Sequence, residues 1–135
     1  MAPNEIRVSF GDGLKVNAEY KGFVIQTDQP VHQGGLGTAP APFDLFLASI
    51  ATCAGFYALA FCQERHIPVG DLGVTMIPEK GPVSKMIEKI TITIDLPTGF
   101  PEKYKPVIMK AVDQCTVKAH MLKPPQFEIV ARQKE

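Results

Sequence analysis

The stretch FDLFLASIATCAGFYALAFC, Phe43 to Cys62, is nearly free of charge and holds two of the chain's three cysteines. From Leu45 to Cys62 there is no formal charge, a run close to the shortest that spans a bilayer. Three readings compete: a membrane span, a buried core helix, or a scaffold for one reactive sulfur. Ala, Ser, Thr and Gly dilute the segment, Asp44 stands at its entrance, and Gln63-Glu64-Arg65-His66 follows it. Stretches of alternating polarity lie on both sides, and strands of that kind need a helix over their apolar faces. The stretch therefore reads as a core helix, with no membrane involved. A helix apolar all round must be buried all round, and a chain of 135 residues offers little depth for that. The expectation is a homodimer in which two such helices pack together, with Ala48, Ala51, Ala54, Gly55 and Ala58 letting the backbones approach.

Outward from this helix, the pattern is that of short strands. Ile6, Val8 and Phe10 alternate with polar neighbours, Gly11-Asp12-Gly13 turns, Leu14, Val16 and Ala18 alternate again, and Tyr20-Lys21-Gly22 leads into Phe23-Val24-Ile25. Asp28 to Pro42 is rich in Pro and Gly and reads as a loop. Downstream, Leu72 to Ile77 and the segment KITITIDL, Lys89 to Leu96, read as two strands, the second with its isoleucines on one face. Pro101 and Pro106 suit the first turns of a short helix and a longer one. The longer helix carries Val107, Ile108, Ala111, Val112 and Cys115 at helical spacing, and Lys123-Pro124-Pro125 ends it. Phe127, Ile129 and Ala131 alternate as a last strand. The predicted order is βββ-α-ββ-α-β, an α+β fold in one domain over residues 1–135.

Fourteen Lys plus Arg balance fourteen Asp plus Glu, and without a basic block the electrostatic footprint of nucleic-acid binding is missing. The start, MAPNEIRVSFGDG, lacks the pattern of a secretory signal, so a cytoplasmic location is expected. An odd number of cysteines argues against a disulfide framework and for reduced thiols. With no Cys-x-x-Cys, and with His32, His66 and His120 scattered, neither a metal site nor a cofactor is expected.

On a helix, Cys62 lies nine positions beyond Cys53 and points to the opposite side. Cys53 shares its stripe with Phe46, Ser49, Ile50, Phe56 and Tyr57. Free cysteine most often acts as a small buried hydrophobe, and spacing alone leaves that reading open for all three. The sharper reading has Cys53 and Cys115 meet across the core or a dimer interface, one attacking a peroxide and the other resolving the resulting sulfenic acid as a disulfide. Phe46, Ser49 and Tyr57 are then candidates to line the substrate pocket, with His32 reaching over from the loop; the plainer alternatives are core packing for the first three and a solvated loop histidine for the last. Thr38 and Asp44 suit capping of the long helix.

Two motifs carry a resemblance to a known family. GTAPAPFDLFLASIATC, Gly37 to Cys53, and AVDQCTVKAHML, Ala111 to Leu122, resemble the two cysteine motifs of the osmotically inducible protein C and organic hydroperoxide resistance (OsmC/Ohr) proteins, in the same order and at a similar separation. The resemblance covers essentially the whole chain and is nearer the less characterised OsmC-like branch. It implies an intertwined homodimer with thiol sites at the subunit interface and a redox-active pair with Cys53 peroxidatic and Cys115 resolving. The activity implied is reduction of small apolar hydroperoxides, with a dithiol as reductant. The chain departs from the hydroperoxide reductases in two places: Phe43 stands where they have a glutamate, and their early arginine falls near Gly11. Candidate replacement cations are Arg7, Lys15, His32 and Lys118. The alternative function is a binding or redox-sensing module of the same fold, with an apolar interfacial pocket and little turnover.

Overall fold

A computed structural model of the chain describes residues 2–134, which fall into two compact units divided between Ala48 and Ser49. In the first, β1 (Arg7–Phe10), β2 (Val16–Tyr20) and β3 (Phe23–Thr27) form an antiparallel sheet in the order β1-β2-β3. Tyr20 pairs with Phe23 around the two-residue turn Lys21-Gly22. Both turn residues have positive φ, 52° and 80°, the twist that matches a right-handed hairpin and that glycine accepts without cost.

The loop after β3 is organised by a buried carboxylate. Asp28 is fully enclosed and accepts hydrogen bonds from the Gln29 N–H (2.7 Å), the Thr38 N–H (3.1 Å) and the Thr38 hydroxyl (2.7 Å), with a longer approach from the Leu36 N–H at 3.5 Å. The Thr38 hydroxyl and N–H, helped by Gln29 and Leu36, outweigh burial and hold the Asp28 pKa at about 2, below its ordinary 3.8. Gly35 is pressed against the neighbouring strand of the loop: a Cβ there would lie 2.0 Å from the Gln29 carbonyl oxygen, so no other residue fits. Thr38 is thus engaged with Asp28 and is not the helix cap its sequence position suggested. Asp44 is, since its Oδ2 accepts the Ala41 N–H at 3.3 Å, the reach from the third helical residue back to the cap that makes half a capping box. Pro42, whose nitrogen could not donate in any case, opens the helix.

That helix, α1 (Pro42–Glu64), continues into the second unit, where it packs on the hairpin of β4 (Gly73–Lys80) and β5 (Ile87–Asp95). Ile50, Ala54, Ala58, Phe61 and Cys62 are buried, one face at the i, i+4 spacing expected of a helix on a sheet. Ala54, Ala58 and Cys62 are wholly enclosed, and with Phe61, Phe100, Ile108 and Val112 they form the core against which Val74, Ile92 and Ile94 pack. The alternation read in KITITIDL is present, with Ile90, Ile92 and Ile94 turned inward and Thr91, Thr93 and Asp95 exposed. The helix is long and apolar enough to cross a membrane, with mean hydropathy 2.0, yet this face is committed to protein. Phe56 and Leu59, on other faces, are exposed in the single chain, so burial all round is met on one side only.

Two details differ from the sequence reading. The predicted second helix is two, α2 (Lys105–Asp113) and α3 (Thr116–Leu122), because Gln114 (ψ 17°) and Cys115 (ψ 127°) leave the helical region. Cys115 therefore sits at a corner and not on a continuous stripe. Pro106 does stand in the first turn of α2, after a short 3-10 turn over Glu102–Tyr104. The last strand is not formed: no described strand pairs with the segment after α3, and Phe127 and Ile129 lie exposed. Alternating polarity makes a strand only where a neighbour supplies the ladder of hydrogen bonds.

The Asp28 cage makes the first unit sensitive to acid. Its folded-state pKa is depressed, so its contribution is complete above 3.8 and is lost as the pH falls toward about 2. Hydrogen-exchange protection of the Leu36 and Thr38 amides is expected to hold steady above this window and to drop across it, while in Asp28→Asn it is low throughout.

Candidate functional site

The two thiols singled out in the sequence come together in the second unit. Cys53 lies on α1 next to the enclosed Ala54 and is half-buried, whereas Cys115, at the corner between α2 and α3, is buried. The break at Cys115 leaves the first N–H groups of α3 without partners inside the helix. Burial pushes the Cys53 thiol up, but hydrogen bonds to its sulfur from the Cys115 thiol and from the backbone N–H groups of Val117 and Thr116 push harder the other way, and its pKa falls below the ordinary cysteine value. The partner shifts oppositely. Burial, and its role as donor to Cys53, raise Cys115 above the ordinary value against the pull of the Lys118 and Val117 N–H groups.

None of the effects acting on Cys53 is a charge. Lys118, a candidate cation, is paired with Asp113, and Arg7, in the first unit, is paired with Glu5 at 3.1 Å. Cys62 behaves as the geometry of the helix demanded: it faces the core, and burial raises its pKa despite Arg65 nearby.

Cys115 also lines an apolar cleft of about 350 Å³ whose walls are Ile50, the inward isoleucines of β5, Met109, Val112 and Met121, with Asp113 and Lys118 among its polar groups. Of the other sequence candidates, Tyr57 is in the second unit one helical turn beyond Cys53, and its hydroxyl is hydrogen-bonded to Thr116 Oγ1 at 2.9 Å. Ser49 is half-buried at the start of the same unit, its carbonyl accepting the Thr52 hydroxyl at 3.3 Å. Phe46, stacked obliquely on Phe43 with centroids 5.5 Å apart, and His32, exposed in a short 3-10 turn (Val31–Gln33), belong to the first unit. The sequence reading missed Thr116 and Val117 as donors to Cys53; the signal available was the hydroxyl residue after the second cysteine, which marks the start of α3. Among the described residues no cluster of His, Cys, Asp or Glu could hold a metal ion.

The opposed shifts of the three thiols fix an order of reactivity. At neutral pH iodoacetamide is expected to modify Cys53 well before Cys62, as read by peptide mapping; equal rates would mean that the hydrogen bonds to Cys53 do not hold its thiolate in solution.

The fold has solved relatives. A Psychrobacter arcticus protein named for osmotic stress induction and a detoxification response matches over 88% of this chain and 87% of its own, with TM-score 0.71 and 20% identity. An OsmC-like protein from Mycoplasma pneumoniae matches over 90% and 88%, with TM-score 0.68 and 15% identity. An organic hydroperoxide resistance protein from Legionella pneumophila matches over 87% of each chain, with TM-score 0.54 and 17% identity. At these identities the likeness is one of fold. No curated protein sequence matches the chain. The family model described as OsmC-like protein matches residues 34–130, a span that takes in both cysteine motifs and most of the chain, and the protein therefore belongs to the OsmC-like family.

Proposed function

We propose that the protein is a thiol-dependent reductase of organic hydroperoxides serving oxidative stress defence in the cytoplasm, with Cys53 as the attacking thiol and Cys115 as the resolving one. What supports this reading is that the two thiols, Cys53 half-buried on α1 and Cys115 buried at the corner before α3, act on each other's ionisation, Cys53 toward its thiolate and Cys115 away from it. The Cys53 thiolate attacks the terminal oxygen of ROOH; the O–O bond breaks, and the alkoxide leaves and takes a proton as ROH. Cys53 is then a sulfenic acid. The Cys115 sulfur attacks it, an S–S bond forms, and the hydroxyl departs with the Cys115 proton as water. A cellular dithiol returns both sulfurs to thiols by exchange and is itself oxidised to a disulfide. A raised pKa suits Cys115 to this order, since it stays protonated and donates to Cys53 until the sulfenic acid is made.

Apolar substrates are favoured by the surroundings, in which Ile50 and the β5 isoleucines form a wall on the Cys115 side. The working form in this reading is a homodimer, which would cover Phe56 and Leu59 of α1 and give the segment bearing Phe127 and Ile129 a strand to pair with. A second reading has one observation in its favour: no charge acts on Cys53, and Phe43 stands where the resembled reductases have a carboxylate. Under it the same fold binds an apolar ligand or senses oxidants with little turnover.

Stopped-flow mixing with cumene hydroperoxide separates the two. The wild type is expected to react faster than with hydrogen peroxide, Cys53→Ser to fall to the uncatalysed background, and Cys115→Ser to consume one equivalent and stall as a sulfenic acid trapped by dimedone. A wild type no faster than Cys53→Ser would overturn the reductase reading in favour of the second.

A further inference from the structure

The cleft beside Cys115 has two unlike walls. One is fixed: Ile50 on α1 and Val112 on α2 are buried, and Ile92 and Ile94 of β5 pack against the core. Branched at Cβ, these side chains are stiff. The other wall is made by Met109 of α2 and Met121 of α3, which are 63% and 39% exposed and so open to a ligand. A methionine is unbranched, with three rotatable bonds and a polarisable sulfur, and adapts to the shape it meets. The reaction steps above give neither methionine a task.

The cleft adjoins the thiols. Cys115 is in its lining, and Ile50 stands three residues before Cys53 on α1, hence on the same face. Its volume, about 350 Å³, is at the lower end of what small-molecule sites enclose. That suits one organic group of modest size, and neither a peptide nor a protein. Asp113 and Lys118 are the charged residues of the lining, and they pair with each other. The cleft therefore holds no unmatched charge with which to draw an ionic ligand.

We infer that this cleft receives the organic group of the hydroperoxide, an uncharged alkyl or aryl group, and that Met109 and Met121 are its specificity-determining residues, closing on the group from the open side while the isoleucines back it. This rests on the thiol chemistry of the proposed function and names the part of the site that chooses the substrate. The fixed wall limits how deep a group can enter; the adaptable one covers groups of different outline. Contact with the methionines is open to an alkyl or aryl peroxide and closed to hydrogen peroxide, which has no organic group to offer, so the two should be told apart here. A substrate bearing a carboxylate would have to bring an unpaired charge against an apolar wall, at a cost nothing in the lining offsets.

The test is NMR of isotope-labelled methionine methyl groups in the full chain, assigned by leucine substitution, as cumyl alcohol, the product of cumene hydroperoxide reduction, is titrated in. The Met109 and Met121 signals are expected to shift together and to saturate, while Met86, 74% exposed and outside the cleft, stays put. Benzoate, ionised at neutral pH, should move none of them. In kinetics, Met109→Ala and Met121→Ala should each narrow the preference for cumene hydroperoxide over hydrogen peroxide by roughly fourfold or more, the value of one methylene withdrawn from water, and mainly through KM. Met86→Ala should keep the wild-type preference. Unmoved Met109 and Met121 signals, a Met86 signal that moves with them, an equal response to benzoate, or an unchanged preference in both cleft variants would overturn the inference. The titration needs no turnover, so saturable shifts in a protein inert toward peroxides would sink the reductase reading and leave the cleft as the ligand site of the second reading, whereas fast peroxide turnover without shifts would do the reverse.

Discussion

The close packing of α1 over Ala54, Ala58 and Cys62 is the constraint on which the second unit depends. Three side chains this small, all fully enclosed, let the core residues Phe100, Ile108 and Val112 press against the helix, and a well-packed core leaves no room for the helix to rotate. Cys53, the neighbour of Ala54, is thereby placed at the border of that core, half in contact with it. Full burial with no directed donors pushes a thiol away from its thiolate, as it does Cys62, while one in open water would lose the directed donors that lower its pKa. The border position allows burial and hydrogen bonding to act together, and the hydrogen bonds prevail.

This way of tuning a thiol uses a second thiol, helped by backbone N–H groups, instead of charge. A cation beside a buried sulfur must itself be taken out of water, at a cost that pairing only partly returns. Backbone N–H groups at the start of a helix are present already and lack partners within it, so aiming them at a sulfur satisfies donor and acceptor at once. The corner at Gln114 and Cys115 creates these donors and also brings the second thiol to the first. Continuous helix through Cys115 would have satisfied the same N–H groups internally and left Cys53 with burial alone, which raises the pKa.

Much of this was legible in the chain. The alternation of Ile90, Ile92 and Ile94 gave the face of β5, the charge-free run from Leu45 gave the core helix, and the nine-residue offset separated Cys62 from Cys53. Asp44 and Pro106 marked helix starts by chemistry that is local and therefore readable. The corner at Cys115 was not legible, because neither Gly nor Pro marks it and residues 105–122 keep a helical period on both sides. The Asp28 cage was hidden for a different reason: its partners Leu36 and Thr38 are eight and ten residues away, joined by a loop whose path no periodicity describes. The segment of Phe127 and Ile129 has the alternation of a strand but no neighbour in the single chain, and alternation cannot supply one. The pairing of Cys53 and Cys115 was one of two readings that the sequence left open, and resemblance to a family favoured it; the direction in which each is shifted emerged from the surroundings of the two sulfurs.

The central claim is that Cys53 and Cys115 form one redox pair from which Cys62 is excluded. Peptide mapping by mass spectrometry after one equivalent of cumene hydroperoxide tests it most directly. The account predicts a disulfide joining the Cys53 and Cys115 peptides, with Cys62 recovered as the free thiol. Recovery of all three thiols unmodified, or a disulfide that includes Cys62, would contradict it.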